Sequence, residues 1–136
     1  MPPVRTYVVP WPPSLNTMYP TRDGRRRLSG KAAKWKRHAL EELGLQRAQR
    51  VAGPAKVMIA LHPNSKRLFD LDNKVKAILD LLKTAGVVED DNWRHVPSIA
   101  VALGETLPTA KAVLTVSTHL EPPIADTTLG IYPPSE

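Results

Sequence analysis

The sequence predicts an α+β fold, a small mixed β-sheet of about four or five strands with two helices packed on it. Three observations carry that expectation. Four stretches are β-branched or alternate between apolar and polar residues, two others space their apolar residues as helices do, and the two kinds are intermixed along the chain. The 136 residues suit one domain of ordinary size, and 42% hydrophobic residues can supply a real core. With a single Phe, that core must be mostly aliphatic.

The first strand is Val4–Val9, β-branched and ended by Pro10. Pro10-Trp-Pro-Pro-Ser14 follows as a stiff, extended turn into a long basic loop. A helix then takes Ser29 as N-cap and runs to about Arg50, with Ala32, Trp35, Ala39 and Leu43 on one stripe. Gly44 weakens its end and Gly53-Pro54 stops it. Lys56–His62 alternates, with Val57, Ile59 and Leu61 on one side. The second helix begins near Asp70 or Asp72 and ends at Gly86, a natural residue for the left-handed position after a helix. Its Val75, Ile78, Leu79 and Leu82 repeat at i, i+3, i+4 and i+7. A short strand at Val87-Val88 follows. Ser98–Leu103 and Lys111–Thr118 complete the sheet, and Gly104 to Pro108 reads as a hairpin connection between them. Residues 1–120 form the folded domain, and residues 121–136, with two Pro-Pro pairs, read as a loosely ordered tail.

Composition excludes several classes of function. No cysteine means no disulfide scaffold, no thiolate zinc site and no cysteine nucleophile. No apolar run approaches the ~20 residues that span a bilayer. The opening Met1-Pro2-Pro3-Val4-Arg5 lacks a secretory apolar region, so a cytoplasmic location is expected. The net charge of +6 is unevenly spread. Residues 22–50 hold ten Lys or Arg (Arg22, Arg25, Arg26, Arg27, Lys31, Lys34, Lys36, Arg37, Arg47, Arg50) against Asp23, Glu41 and Glu42. Residues 70–91 reverse the sign, with six acids against Lys74, Lys76 and Lys83. Either these are solvated helix faces, or one part holds a polyanion and the other a cation.

Phe69-Asp70-Leu71-Asp72-Asn73 opens the second helix. One Asp there is common, because it caps free N–H groups at the positive end of the dipole. Two acids followed by Asn73 exceed what capping requires, and Asp90-Asp91 adds to the local charge. Close carboxylates force a proton onto one of them unless a divalent cation sits among them. A calcium EF-hand fails, since Lys74 and Val75 stand where a ligand and a glycine belong. Magnesium suits better, as it accepts one or two carboxylates and lets a phosphate complete its shell. Asp72, Lys76, Asp80 and Lys83 share a helical stripe. Asp72–Lys76 is then either an i,i+4 ion pair worth about 0.3–0.5 kcal/mol or a means of setting a cation beside a metal-bound phosphate. Acids, a lysine and a basic surface together make phosphodiester hydrolysis the coherent chemistry.

At these residues the sequence resembles the RusA family of Holliday-junction resolvases. Three segments carry the likeness: Pro10-Trp-Pro-Pro-Ser14-Leu-Asn16 with Tyr19; Asp70-Leu-Asp72-Asn73-x-x-Lys76 with Ile78-Leu-Asp80 and Leu82; and Ala85-Gly86-Val-Val-x-Asp90-Asp91. They cover about residues 4–118. The resemblance implies a magnesium-dependent, homodimeric endonuclease making paired cuts in four-way DNA, with no organic cofactor. The family's metal-site carboxylates map onto Asp70, Asp72 and Asp91, and its functional lysine onto Lys76. Asp90 supports Asp91 or joins the metal set, and Asp80 takes a structural or supporting role. One acid cluster and no internal repeat imply one site per chain, so two symmetric cuts call for two copies.

The residues expected to meet DNA are Arg25, Arg26, Arg27, Lys31, Lys34, Asn16, Lys74 and Phe69. For Asn16 and Ser14 the alternative is a role in fixing the turn. Lys74, a departure from the family pattern, either binds the scissile strand or is merely exposed. Phe69 and Trp11 either stack on bases or pack. Histidines 38, 62, 95 and 119 show no ligand spacing. Two other functions fit the same residues: a metal-dependent nuclease for another branched DNA or structured RNA, and a non-catalytic nucleic-acid-binding protein whose acids only cap the helix.

Overall fold

A computed structural model of the chain describes residues 3–18, 21–22, 25–26 and 28–125, with backbone alone for 21–22 and 25–26. In order these form β1 (Arg5–Pro10), α1 (Leu15–Met18), β2 (Thr21–Arg22), β3 (Arg25–Arg26), α2 (Gly30–Leu45), β4 (Ala55–His62), a 3-10 turn (Asp72–Lys74), α3 (Val75–Thr84), β5 (Ser98–Leu103) and β6 (Lys111–Thr118). The main sheet has the order β1-β6-β4-β5, antiparallel except for the parallel pair β4–β5. A mixed four-stranded sheet was expected, and so were α2 and α3. The basic loop, however, contains a four-residue helix and the β2–β3 ribbon, both too short to carry a periodic signal.

Alternation decides which face of the sheet is covered. Ala55, Val57, Ile59 and Leu61 of β4, Ala112, Leu114 and Val116 of β6, and Tyr7 and Val9 of β1 are all buried. They form one core with Ala39 and Leu43 of α2 and Ile78, Leu79, Leu81 and Leu82 of α3. Each fully buried Leu contributes about 1.5–3 kcal/mol. A smaller cluster of Met18, Ala32 and Ala77 joins the three helices, with Trp35 against it.

Three sequence expectations are corrected. Ser98–Leu103 and Lys111–Thr118 do not form a hairpin, because β4 lies between them and pairs with both. Residues 104–110 instead cross the end of β4, a gap of about 10 Å or two strand spacings. Gly104 N donates to the Leu61 carbonyl (2.8 Å), His62 Nδ1 to the Glu105 carbonyl (2.9 Å) and Leu107 N to the Pro63 carbonyl (2.9 Å). The first long helix stops at Leu45 rather than near Arg50. Arg47 adopts φ 57°, and bonds from Arg47 N to Gly44 O and from Ala48 N to Leu43 O close a Schellman motif. Val87-Val88 is not a strand but the equivalent turn after α3. Gly86 has φ 77°, and Gly86 N and Val87 N bond to Lys83 O and Leu82 O. Both valines are buried, so their apolar character reflects core packing rather than sheet pairing.

The sheet edges differ. Gln46, just past α2, donates from Nε2 to the Val8 carbonyl and accepts the Val8 N–H on Oε1, both at 2.7 Å. Its amide satisfies both backbone groups of Val8 as a neighbouring strand would. Among the described residues β5 has no strand on its outer side, and its Ile99 and Leu103 are 42% and 64% exposed.

Candidate active site

The chain leaves β4 at His62, runs through an exposed loop rich in Lys66, Arg67 and Leu68, and enters the 3-10 turn at Asp72. The acids here do no capping. Leu71 occupies the cap position of the turn and Lys74 that of α3, and neither end has a side-chain cap. Asp70 and Asp72 are exposed. Asp70 Oδ2 accepts one long bond from Asn73 Nδ2 (3.4 Å), and Asp72 has no side-chain bond among the described residues. Side-chain capping therefore does not account for the two aspartates at this helix start.

Lys76, on the first turn of α3, makes the connection to the third segment. Its Nζ lies 3.0 Å from Asp91 Oδ2 and 3.0 Å from Asp80 Oδ1. The Asp72–Lys76 pair allowed by spacing is not the one formed; the ammonium turns toward Asp80, one helical turn further on, and toward Asp91. The Schellman turn at Gly86 brings the chain back along α3, and Asp90 Oδ1 then accepts the Asp91 N–H (2.8 Å) and faces Lys83 Nζ (3.2 Å). Asp90 thus fixes the backbone at Asp91. The hydrogen bond to Asp91 is the main cause holding the Lys76 pKa above its ordinary 10.5, opposed by partial burial and reinforced by Asp80. Asp90 does the same for Lys83.

Asp70 also lines a groove of about 850 Å³. Its walls include Ser14, Lys31, Arg67, Phe69, Asp70 and Asn73. Lys74 also lines it and is not exposed. It is buried, with Nζ donating to the Pro12 carbonyl (3.0 Å) and lying 5.1 Å from the Trp11 ring centre. Burial first, then the Arg67 charge, push its pKa below the usual 10.5. Trp11 and Phe69 meet edge to face at 4.9 Å, and Trp35 Nε1 donates to the Pro10 carbonyl (3.0 Å). The proline turn is thereby pinned to the helix start. Ser14 accepts the Thr17 N–H (3.2 Å) and begins α1, so it fixes the turn, whereas Asn16 is exposed on α1.

The structure accordingly joins Lys76 to Asp91, Asp90 to Asp91, and both Phe69 and Lys74 to Trp11. Asp70 lies with Lys31 on the groove wall, and Lys34 is exposed on α2. Arg27 and Tyr19 lie outside the described residues, as do the side chains of Arg25 and Arg26 and residues 126–136. Sequence reasoning missed Arg67. Lys66-Arg67 falls between the two charge windows, directly before the acidic motif, and that position was its signal.

Among the described residues no three acid or histidine side chains are gathered to hold an ion. Magnesium commonly takes only one or two protein carboxylates and fills its shell with water and phosphate oxygens. Asp70, Asp72, Asp90 and Asp91 are hard oxygen donors of that kind. The Lys76 ammonium is seated on Asp91 at 3.0 Å.

A family model described as Endodeoxyribonuclease RusA matches residues 10–113, spanning the proline turn, both acidic segments and most of the sheet. The chain belongs to the RusA family. Among RusA relatives, the crossover junction endodeoxyribonuclease RusA of Escherichia coli K12 is 34% identical over 97 residues, 65% of this chain and 76% of that protein. Its counterpart in enterobacteria phage HK97 is 39% identical over 88 residues, 62% of this chain and 72% of its own. The protein of that name from phage 82 is 34% identical over 90 residues, 61% and 70% of the two chains.

Proposed function

We propose that this RusA-family chain is a magnesium-dependent endodeoxyribonuclease. It resolves four-way (Holliday) DNA junctions by paired, symmetric phosphodiester cuts during recombination and repair, working as a homodimer in the cytoplasm. The observation that carries the reading is the set of acids at the start of α3 that cap nothing, beside a basic groove. Membership of the family and the names of its relatives supply the substrate.

Asp70, Asp72 and Asp91 would hold the ion, with Asp90 supporting Asp91 through its backbone N–H. A bound divalent ion supplies Lewis acidity toward a phosphoryl oxygen. Lys76, held charged by its carboxylate partners, offsets negative charge that grows on the phosphate in the transition state. Lys31 and Arg67 bind backbone phosphates along the groove, joined by Lys34 and the Arg25–Arg27 run. Lys74 acts through others, setting Trp11 and Phe69 at the groove where unpaired bases of a junction centre are offered. The open edge of β5, with Ile99 and Leu103 exposed, is an apolar surface suited to the second subunit.

The test is magnesium-dependent cleavage of a synthetic four-way junction, with fork, flap, duplex and structured RNA alongside and both nick positions mapped. Wild type is expected to cut the junction in two symmetric strands, and Asp72→Asn to bind it without cutting. Equal cutting by that variant, or none by wild type, refutes the enzyme. Preference for a flap or RNA refutes the resolvase alone. Sedimentation at micromolar concentration checks the dimer.

A further inference from the structure

The Lys76 ammonium bridges two carboxylates at equal distances of 3.0 Å, and the two are not equivalent. Asp80 stands on the same helix, four residues on, so its place relative to Lys76 is set by α3 itself. Asp91 stands on the returning loop, fifteen residues on. Their side chains are similarly shielded, 18% and 19% exposed, while Lys76 is 45% exposed. One lysine thus has two alternative partners: one built into its helix and one that the proposed function assigns to a divalent ion.

We propose that Lys76 competes with the divalent ion for Asp91, and that Asp80 is the positioning residue that holds Lys76 when Asp91 turns to the ion. The inference rests on the metal-site reading above. The Asp91 oxygen that accepts from Lys76 cannot at full strength also serve a hard dication, and an ammonium about 3 Å away repels that ion directly. Asp80 lowers the cost of release, because Lys76 exchanges a shared partner for one it already touches. It also keeps the ammonium on the α3 face rather than letting it swing into solvent. Without Asp80, the same ammonium leans wholly on Asp91 and obstructs the ion more.

The effects expected are those of partly exposed ion pairs, about two- to five-fold in affinity each. The experiment titrates manganese(II) into the DNA-free full chain and follows the free aquo ion by its electron paramagnetic resonance signal, so no cleavage is read. Lys76→Met is expected to tighten binding two- to five-fold, with Lys76→Gln giving the same result should that variant fold poorly. Lys76→Arg, which keeps the bridge, is expected to match wild type. Asp80→Asn removes a negative charge and so weakens binding whatever its role, but the double variant separates the causes. Acting through Lys76, Asp80→Asn weakens binding two- to five-fold in wild type and by less than half that in the Lys76→Met background.

An equal loss in both backgrounds makes Asp80 a mere contributor to the local field and overturns its positioning role. Unchanged or weaker binding by Lys76→Met overturns the competition, provided that Asp91→Asn abolishes the wild-type site. No saturable binding in wild type, with Asp91→Asn indistinguishable from it, removes the metal reading itself and this inference with it.

Discussion

Replacing Lys74 by Met tests whether a buried ammonium holds the groove together. Methionine keeps the length and apolar bulk of the stem, so packing changes little. What is lost is the 3.0 Å bond to the carbonyl of Pro12, a residue less than 2% exposed, and the charge 5.1 Å from the Trp11 ring. A hydrogen bond from a charged donor is worth about 1.5–3 kcal/mol, and a shielded cation–π contact about 0.5–2 kcal/mol. Relief of the ammonium's desolvation, the main cause of its lowered pKa, opposes both. The net expectation is a loss of about 1–3 kcal/mol, a fall in melting temperature of about 3–10 °C. The pH dependence has a definite sign. With the folded-state pKa below 10.5, the unfolded chain binds the extra proton between the two values, so wild type gains stability as pH rises through that window. The methionine variant lacks that gain. Urea unfolding of both proteins at pH 7 and just below 10.5 should therefore show a gap that widens with pH. Equal stabilities at pH 7, or a gap that narrows, refute a structural ammonium at this position.

Other measurements follow from named contacts. Arg47→Gly relieves the φ of 57° after α2 and should raise stability by about 0.5–1 kcal/mol in urea unfolding, since no described bond uses its side chain. Gly104→Ala would drive a methyl into the His62 ring, cost about 1–2 kcal/mol through the lost bond to the Glu105 carbonyl, and cost far less in a His62→Ala background. Lys31→Ala and Arg67→Ala should each reduce the slope of log affinity against log salt for a four-way junction by about 0.9, measured without divalent ions. An unchanged slope in both places the DNA elsewhere.

Much of the fold was readable before any coordinates, for a local reason. Strand alternation in Ala55–His62 and the i, i+3, i+4, i+7 spacing in α3 are properties of single segments, and burial simply answers to them. Ser29 as a cap needs only its own helix, and its hydroxyl accepts the Ala32 N–H as the sequence implied. Pairing was less readable, because no segment carries the identity of its neighbour. Ser98–Leu103 and Lys111–Thr118 look like a hairpin until β4 is seen to separate them. Valines 87 and 88 are apolar for the core, which in a short run is indistinguishable from a strand.

The candidate site divides in the same way. Residue types and order alone gave the expectation that Asp70, Asp72, Lys76, Asp90 and Asp91 act together beside a basic surface; of these the structure joins Lys76 to Asp91 and Asp90 to Asp91. Only the tertiary structure decided which carboxylates Lys76 meets, that the helix-start acids cap nothing, and that Lys74 is buried against Pro12 rather than offered to solvent. The physical reason is reach. A side chain's chemistry is written in its identity, but a charge acts over a few ångströms, and which groups lie within that distance is set by turns and packing far along the chain.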